Sequence, residues 1–480
     1  MRDTYDVIVI GGGPSGLATA GLLAKEGFQT LVIEKSEALG GRLRGIKYNG
    51  LHFNLGLRIF HGAHKTPEDS YIGQTLRALG VKIKFKEIPW CLAFAGKRSP
   101  DGKLMPLQSA PVNRERGLEA FFDFFSALGL RLNEEAKEEL RRIFGIFGKM
   151  SDEELDKALS ISLDEWVQSN VKEPLAQAFF YGCGSLTNIP INEISLGYIA
   201  DTFSDLQKLG KSYVFFYPVG GPLEETLIPK LAQAVQNYGA EILTNHTVRR
   251  VIIEDDEVRG TWVMDNRSRL YHEFEAPIVV CAFPMFQAAG SILDESIFPS
   301  EWLETLKRMR AWSHDDYQGV YLLKKQVIPD DAPQFAELFE LTDIPTFVGE
   351  YGVASSVFGV KVPKGKQLVY GFAGGPLLGF NPTPQKVREL HERFKSVLDK
   401  GFPGFIEAIE WEGYTLGPGN WGRYYMVTVP SGLGYKSPTI KGLYFTGDTS
   451  RVRGGILSDK AFGCAMRCAE IITKENKGTI

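Results

Sequence analysis

The apolar positions of the chain follow two periods. Val7, Ile8, Val9 and Ile10 form an unbroken apolar run behind Asp6, the pattern of a strand covered on both faces in a parallel sheet. Leu17 to Ala24 is rich in small residues and predicts a closely packed helix. Gln29 to Ile33 predicts a second buried strand, which ends at Glu34. From residue 66 the period changes. Leu118, Phe121, Phe122, Phe125 and Leu128 recur at helical spacing within 117–128, and a charged helix over Asn133–Arg142 leads into Ile143, Phe144, Ile146 and Phe147. Pattern then returns to strands around a helix at Glu224–Tyr238: 240–248, 251–254, a hairpin through Asp255, Asp256 and Glu257 into 258–263, and 276–282. Residues 287–430 read as short strands and loops, including a strand and turn at 369–376, with one clear helix at Thr383–Asp399. A strand at 442–448 and a helix at Leu457–Lys474, with small residues at Ala461, Gly463, Ala465 and Ala469, close the chain.

Composition narrows the class. The 480 residues suggest three domain-sized units at about 150 residues each, and 44% hydrophobic residues suffice for a large core. With 54 basic and 58 acidic residues the net charge is −4, which argues against nucleic acid as a partner. The five cysteines form no Cys-x-x-Cys, and this reads as buried thiols in a reducing compartment. Cys464 and Cys468 share a helix face, but two thiols alone make a poor metal site, so no metal is expected. No signal peptide and no run of 18 apolar residues is visible, so a cytoplasmic protein, soluble or held at a membrane surface, is expected. Glycine is in surplus: 52 residues, against about 34 at average usage.

The glycines sit where chemistry is expected. Gly11, Gly13 and Gly16 complete a Gly-x-Gly-x-x-Gly, with Gly12, Pro14 and Ser15 between them. The order is strand, glycine loop, helix, strand and then Glu34, 18 residues past Gly16. Gly11 permits the turn, Gly13 lets backbone approach a pyrophosphate and Gly16 lets helix and strand pack closely. The helix N-terminus offers free N–H groups to phosphate, and an acid at this spacing suits a ribose hydroxyl. A second pair, Gly40 and Gly41, with Arg42, follows Lys35 closely. A plain nicotinamide domain has no need of it, whereas a larger flavin dinucleotide must be passed a second time, with a cation beside its diphosphate.

With these residues the chain resembles the FAD-dependent amine oxidase and phytoene desaturase superfamily. The match rests on Gly11, Gly13, Gly16, Glu34, Gly40, Gly41 and Arg42, and on Gly50–Gly56, which is similar to the loop that reaches the isoalloxazine in that family. The family often has aspartate where this chain has Asn54. The resemblance implies an α/β fold: a Rossmann-like FAD domain of the glutathione-reductase-2 type, with an interleaved α+β substrate domain that contains a helical part. It implies a discontinuous FAD domain at 1–65, 214–286 and 436–480, and a substrate domain at 66–213 and 287–435, helical over about 112–205. It further implies that Val248 meets the adenine through its backbone and that Gly447 and Asp448 close the site, Asp448 accepting from a ribityl hydroxyl. Gly455, Ile456 and Leu457 would present N–H groups to the flavin N1/O2 edge, where a helix N-terminus stabilises negative charge. The remaining cofactor positions are Pro14, Ser15, Lys35, Gly56, Leu57 and Arg58. Covalently flavinylated relatives use a cysteine upstream of the last strand; none lies between Cys281 and Cys464, so non-covalent FAD is expected.

The reading of function keeps three classes. The first is a desaturase, saturase or isomerase acting on C–C or C=C bonds of an apolar, lipid- or isoprenoid-like molecule by hydride transfer at flavin N5. The second is an amine oxidase or protoporphyrinogen-oxidase-like enzyme using O2. The third is a flavin-bearing binding protein. The phenylalanine-rich middle favours the first class, with Phe121 and Phe125 either core or substrate wall. Against a narrow match, bacterial phytoene desaturases usually carry Thr-His-Pro-Gly where this chain has Thr449 to Arg453. Trp421, Tyr424 and Tyr425 precede the last strand, where amine oxidases place an aromatic over the flavin. Arg58 and His61 are candidates for anchoring charge and shuttling a proton, with His64 nearby. The partners expected are a hydrophobic small molecule, an electron acceptor left open among O2, a quinone or none, and at most peripheral contact with a membrane.

Overall fold

The computed structural model describes residues 2–54, 59–61, 65–187, 189–211, 215–313, 315–341, 345–374, 382–417, 427–429, 434–454 and 457–476. Its centre is a five-stranded parallel sheet built from distant parts of the chain. In spatial order the strands are Glu241–Leu243, Thr30–Ile33, Val7–Ile10, Ile278–Cys281 and Leu443–Phe445. Val7 pairs with Thr30 on one side and Ile278 on the other, and Val279 pairs with Leu443. The three central strands are buried at every position, which is why they read as unbroken apolar runs rather than alternating ones. Helix Pro14–Lys25 packs against this sheet, between Leu223–Asn237 and the last helix, Leu457–Asn476. The contact is close because Gly21 lacks a side chain: a Cβ there would lie 3.1 Å from both Leu79 and Val235.

A three-stranded antiparallel sheet, His246–Glu254, Glu257–Asp265 and Tyr271–Glu275, hangs beside the parallel one. The second large layer is a seven-stranded sheet ordered Ile409–Leu416, Asp316–Leu323, Gln367–Gly374, Pro345–Val353, Phe335–Leu341, Cys91–Ala95 and Gln108–Pro111. Its pairings are antiparallel except that of Phe335–Leu341 with Cys91–Ala95. Helix Pro384–Gly401 covers it through Val387, Leu390, Phe394, Val397 and Leu398.

Six helices between Leu118 and Leu209 form the helical part. Its core is aromatic: Phe144 packs on Phe147, Phe179, Phe180 and Phe203, with ring centres 4.4 to 6.0 Å apart.

Two expectations are corrected. The charged stretch from Asn133 and the apolar run to Phe147 are one helix, Glu134–Lys149, capped by the Asn133 side chain. One helix face carries Ala136, Leu140, Ile143, Phe144 and Phe147 inward while the charges stay out. The region 287–430 also holds a further 12-residue helix, Ser300–Ala311. Its buried face is only Trp302, Thr305, Leu306 and Met309, a stripe thin enough to be hidden by the surrounding charges.

Candidate active site: a dinucleotide cleft

A cleft of about 780 Å³ opens at the carboxyl ends of the parallel strands, the place where open α/β sheets bind ligands. Gly11, Gly13, Pro14 and Ser15 form its floor. Gly11 has a φ of +114°, and its N–H donates to Ile33 O at 2.8 Å, so the chain turns sharply off the first strand. Gly16 does not line the cleft; a Cβ there would overlap the carbonyl oxygen of Gly11. It is the packing glycine, and it lets the helix start directly on the strand. That helix has no side-chain cap, so its first-turn N–H groups are left facing the cleft floor.

The second glycine pair is stitched to the first loop. Gly40 N–H donates to Gly12 O at 2.8 Å, and a Cβ on Gly41 would lie 3.3 Å from Gly13 Cα. Gly41, Arg42 and Lys35 line the cleft, as do Leu43 and Arg44. Glu34 is buried and held by two backbone donors, Gly12 N–H to Oε2 at 2.7 Å and Ser36 N–H to Oε1 at 2.8 Å. Its carboxylate is an acceptor only, fixed in position at the cleft edge.

The strand from His246 reaches this edge because Asn245 N–H donates to Ser36 O at 3.0 Å and His246 N–H to Glu34 O at 3.0 Å. Thr247, Val248 and Arg249 therefore line the cleft, with a register shift between Val248 and Arg250. On the far side stand Gly447, Asp448 and Ser458. Arg42 Nη1 and Asp448 Oδ2 are 2.8 Å apart.

The donor set fits a dinucleotide. Open helix-start donors and the cations Lys35, Arg42, Arg44 and Arg249 suit a diphosphate, while the acceptors Glu34 and Asp448 suit sugar hydroxyls. Ser458 Oγ is buried in the cleft wall with no hydrogen-bond partner among the described residues, an oxygen left for a ligand to satisfy.

Eleven of the positions proposed from sequence thus stand around one cleft: Gly11, Gly13, Pro14, Ser15, Glu34 and Lys35, with Gly41, Arg42, Val248, Gly447 and Asp448. Phe121 and Phe125 stand elsewhere, in the aromatic core: Phe121 packs on Trp90 and Phe203, and Phe125 on Phe124 and Phe179. His61 lies on a short strand paired with Phe215, and Leu457 opens the last helix. Gly56, Leu57, Arg58, His64, Trp421, Tyr424, Tyr425, Gly455 and Ile456 lie outside the described residues. Sequence reasoning passed over Ser458, Arg44 and Arg249. Ser458 stands three residues after Gly455 in the sequence, and that spacing was the available signal.

Burial shapes the titrating groups behind the wall. Lys460, in the first turns of the last helix, is pushed down to about 8 by burial, with Cys464 opposing. Burial raises the Cys281 thiol to about 12 and the Cys464 thiol to about 11. Away from the cleft, His391, Glu392 and Glu412 gather closely enough to hold an ion. Lys395 already places its ammonium 2.8 Å from Glu412 and 2.9 Å from Glu392.

Comparison with known proteins agrees with this geometry. The family model described as flavin containing amine oxidoreductase matches residues 14–414. Prolycopene isomerase, chloroplastic, of Arabidopsis thaliana is 22% identical over 99% of this chain and 84% of its own. Phytoene desaturase of Cercospora nicotianae is 25% identical over 75% of this chain and 59% of its own, and the chain spans about half (51%) of the Oncidium hybrid prolycopene isomerase 1 that it also matches. Among solved structures, an oxidoreductase from Methanosarcina mazei superposes with a TM-score of 0.64 at 16% identity, covering 97% of this chain and 100% of its own. Cyclohexylamine oxidase from Brevibacterium oxydans superposes with a TM-score of 0.60 at 17% identity, covering 98% and 99%. The chain belongs to the flavin-containing amine oxidoreductase family, and it is an FAD-dependent oxidoreductase.

Proposed function

We propose that the protein desaturates, saturates or isomerises carbon–carbon bonds of an apolar, isoprenoid-like molecule, using FAD held without a covalent bond. The observation that carries this is the match to a prolycopene isomerase along nearly the whole chain, joined by a phytoene desaturase. FAD, once bound, supplies hydride exchange with a carbon centre at its N5.

The chain's own part is to hold and to exclude. Glu34 would bind a ribose hydroxyl, the floor from Gly11 to Ser15 together with Arg42 the diphosphate, and Asp448 a ribityl hydroxyl. The seven-stranded sheet and the helical part would have to supply the apolar walls that keep water from a hydrocarbon. Arg58 and His61 remain our candidates for anchoring charge and moving a proton, since making or removing a C=C bond moves a proton as well as a hydride. Non-covalent binding is supported by the cysteines: none of those described lines the cleft. No described helix is long and apolar enough to cross a membrane. Exposed Ile146, Ile161 and Tyr181 on the helical part would suit peripheral contact with a lipid surface. The reading is tested by offering the anaerobic holoenzyme isoprenoids beside amines and following both flavin colour and product geometry.

A further inference from the structure

Behind the cleft wall lies a buried group of polar side chains that cofactor binding does not use directly. His52, Tyr217 and Tyr370 are buried and Glu224 is one-fifth exposed. They come from four places: the strand Leu51–Asn54, the first turn of helix Leu223–Asn237, the strand Phe215–Pro218 and the strand Gln367–Gly374 of the large sheet.

The hydrogen-bond geometry fixes where the protons are. The Tyr370 hydroxyl donates to the carbonyl of His52 at 2.9 Å. A hydroxyl has one proton, so His52 Nδ1, 3.2 Å from the same oxygen, is the donor in that contact. The other ring nitrogen, Nε2, meets Glu224 Oε1 in a hydrogen bond. A neutral imidazole protonated at Nδ1 and an ionised carboxylate would there face each other as two acceptors. The contact therefore contains a further proton, on the ring or on the carboxyl. Glu224 Oε2 and the Tyr217 hydroxyl are buried without hydrogen-bond partners among the described residues. The charged groups facing the pair are Lys47, which bonds Glu225 and also attracts Glu224 through space, and Lys361, which acts on Glu225.

The pair bears on the cofactor site through Gly45. That residue directly follows Arg44 of the cleft wall, and a Cβ on it would overlap His52 Nε2 and lie 2.6 Å from Glu224 Oε1. Five residues earlier, Gly40 leans on Ile228 of the same helix that carries Glu224.

We propose that His52 and Glu224 are a positioning pair. The proton they share ties the hairpin 45–54 to helix Leu223–Asn237 and so sets the Gly40–Arg44 wall against which FAD lies. This rests on the FAD assignment of the cleft, and the test separates the two. Glu224→Gln brings its own N–H and can donate to a neutral His52 Nε2; Glu224→Met has nearly the same volume and no donor. FAD dissociation constants of both variants are measured by flavin fluorescence, with circular dichroism to check folding. Glu224→Gln is expected within about threefold of the wild type, and Glu224→Met weaker by about 10- to 100-fold, the worth of a hydrogen bond to a charged group. A Glu224→Met protein that binds FAD like the wild type overturns the positioning role. A Glu224→Gln protein as weak as Glu224→Met overturns proton sharing. On the wild-type protein itself, with nitrogen-labelled histidine, the shared proton is expected as a resonance far downfield of the amides. Its absence overturns the proposal even if the variants do not fold. Failure of the wild-type protein to take up FAD counts against the cofactor assignment instead, and the resonance then decides the pair by itself.

Discussion

Arg42 and Asp448, 406 positions apart in the sequence, meet as an ion pair with Nη1 and Oδ2 separated by 2.8 Å. Their side chains are 24% and 10% exposed, so the pair sits in the cleft wall and is not a surface bridge. It joins an early segment of the chain to a late one across the candidate cofactor cleft. Asp448→Ala removes both the acceptor and the partner of Arg42. We expect purified protein with a flavin-to-protein ratio far below one and an affinity lower by at least about tenfold. Asp448→Asn should fall between this variant and the wild type. Full stoichiometric flavin in Asp448→Ala would remove Asp448 from the binding set.

Two glycines separate packing from propensity. Gly16→Ala drives a methyl into the Gly11 carbonyl, which should cost several kcal/mol and abolish flavin retention, on the order of an overpacked core. Gly145, inside helix Glu134–Lys149, has nothing within 4 Å of a Cβ. Gly145→Ala should stabilise by about 0.5–1 kcal/mol, the helix propensity difference. Thermal melts of the two variants give opposite signs if the loop geometry is right.

Lys460 gives the fold a pH signature. Its folded value, about 8, lies below the ordinary lysine value because burial disfavours the ammonium. Between pH 8 and the unfolded value near 10.5 the unfolded chain binds the extra proton, so stability rises with pH in that window. Below it the charged lysine costs on the order of 3 kcal/mol. Lys460→Met should flatten the rise and be the more stable protein at pH 7. Denaturant midpoints at pH 7, 8 and 9 measure it, and an unchanged pH slope in the variant would contradict the assignment.

Phe125 tests what the aromatic middle is for. Its ring centre is 4.4 Å from that of Phe179, and a Cβ on Gly182 would lie 2.6 Å from its edge. Phe125→Ala is expected to lose about 3–5 kcal/mol, as for a buried aromatic, with the KM for an apolar substrate little changed. Unaltered stability with a raised KM would return Phe125 to the substrate wall.

The candidate cofactor cleft was legible because its demands are local. Turns at Gly11 and Gly41 need particular backbone angles, and those leave glycine in the sequence at set distances from a strand and an acid. The Arg42–Asp448 pairing was not legible: each residue was assigned to the ligand separately, and only the sheet order brings the two ends of the chain together. Phe121 and Phe125 mark the opposite limit. Periodicity shows that a ring faces inward, and it is the same whether the ring meets other rings or a substrate. The pair of His52 with Glu224 was not legible: its members lie 172 positions apart, and the Gly50–Gly56 stretch that contains His52 says nothing of a partner on a distant helix. The helix Ser300–Ala311 did carry a signal, but its four-residue buried face is outnumbered by charge.

The most direct measurement is anaerobic reaction of the FAD-loaded protein with parallel panels of isoprenoids, unsaturated acids and amines, with flavin absorbance and product double-bond geometry followed together. An isoprenoid is expected either to bleach the flavin, with slow reoxidation by oxygen, or to change its double-bond geometry without net bleaching. Bleaching by amines alone, with rapid reoxidation by oxygen, would contradict this expectation.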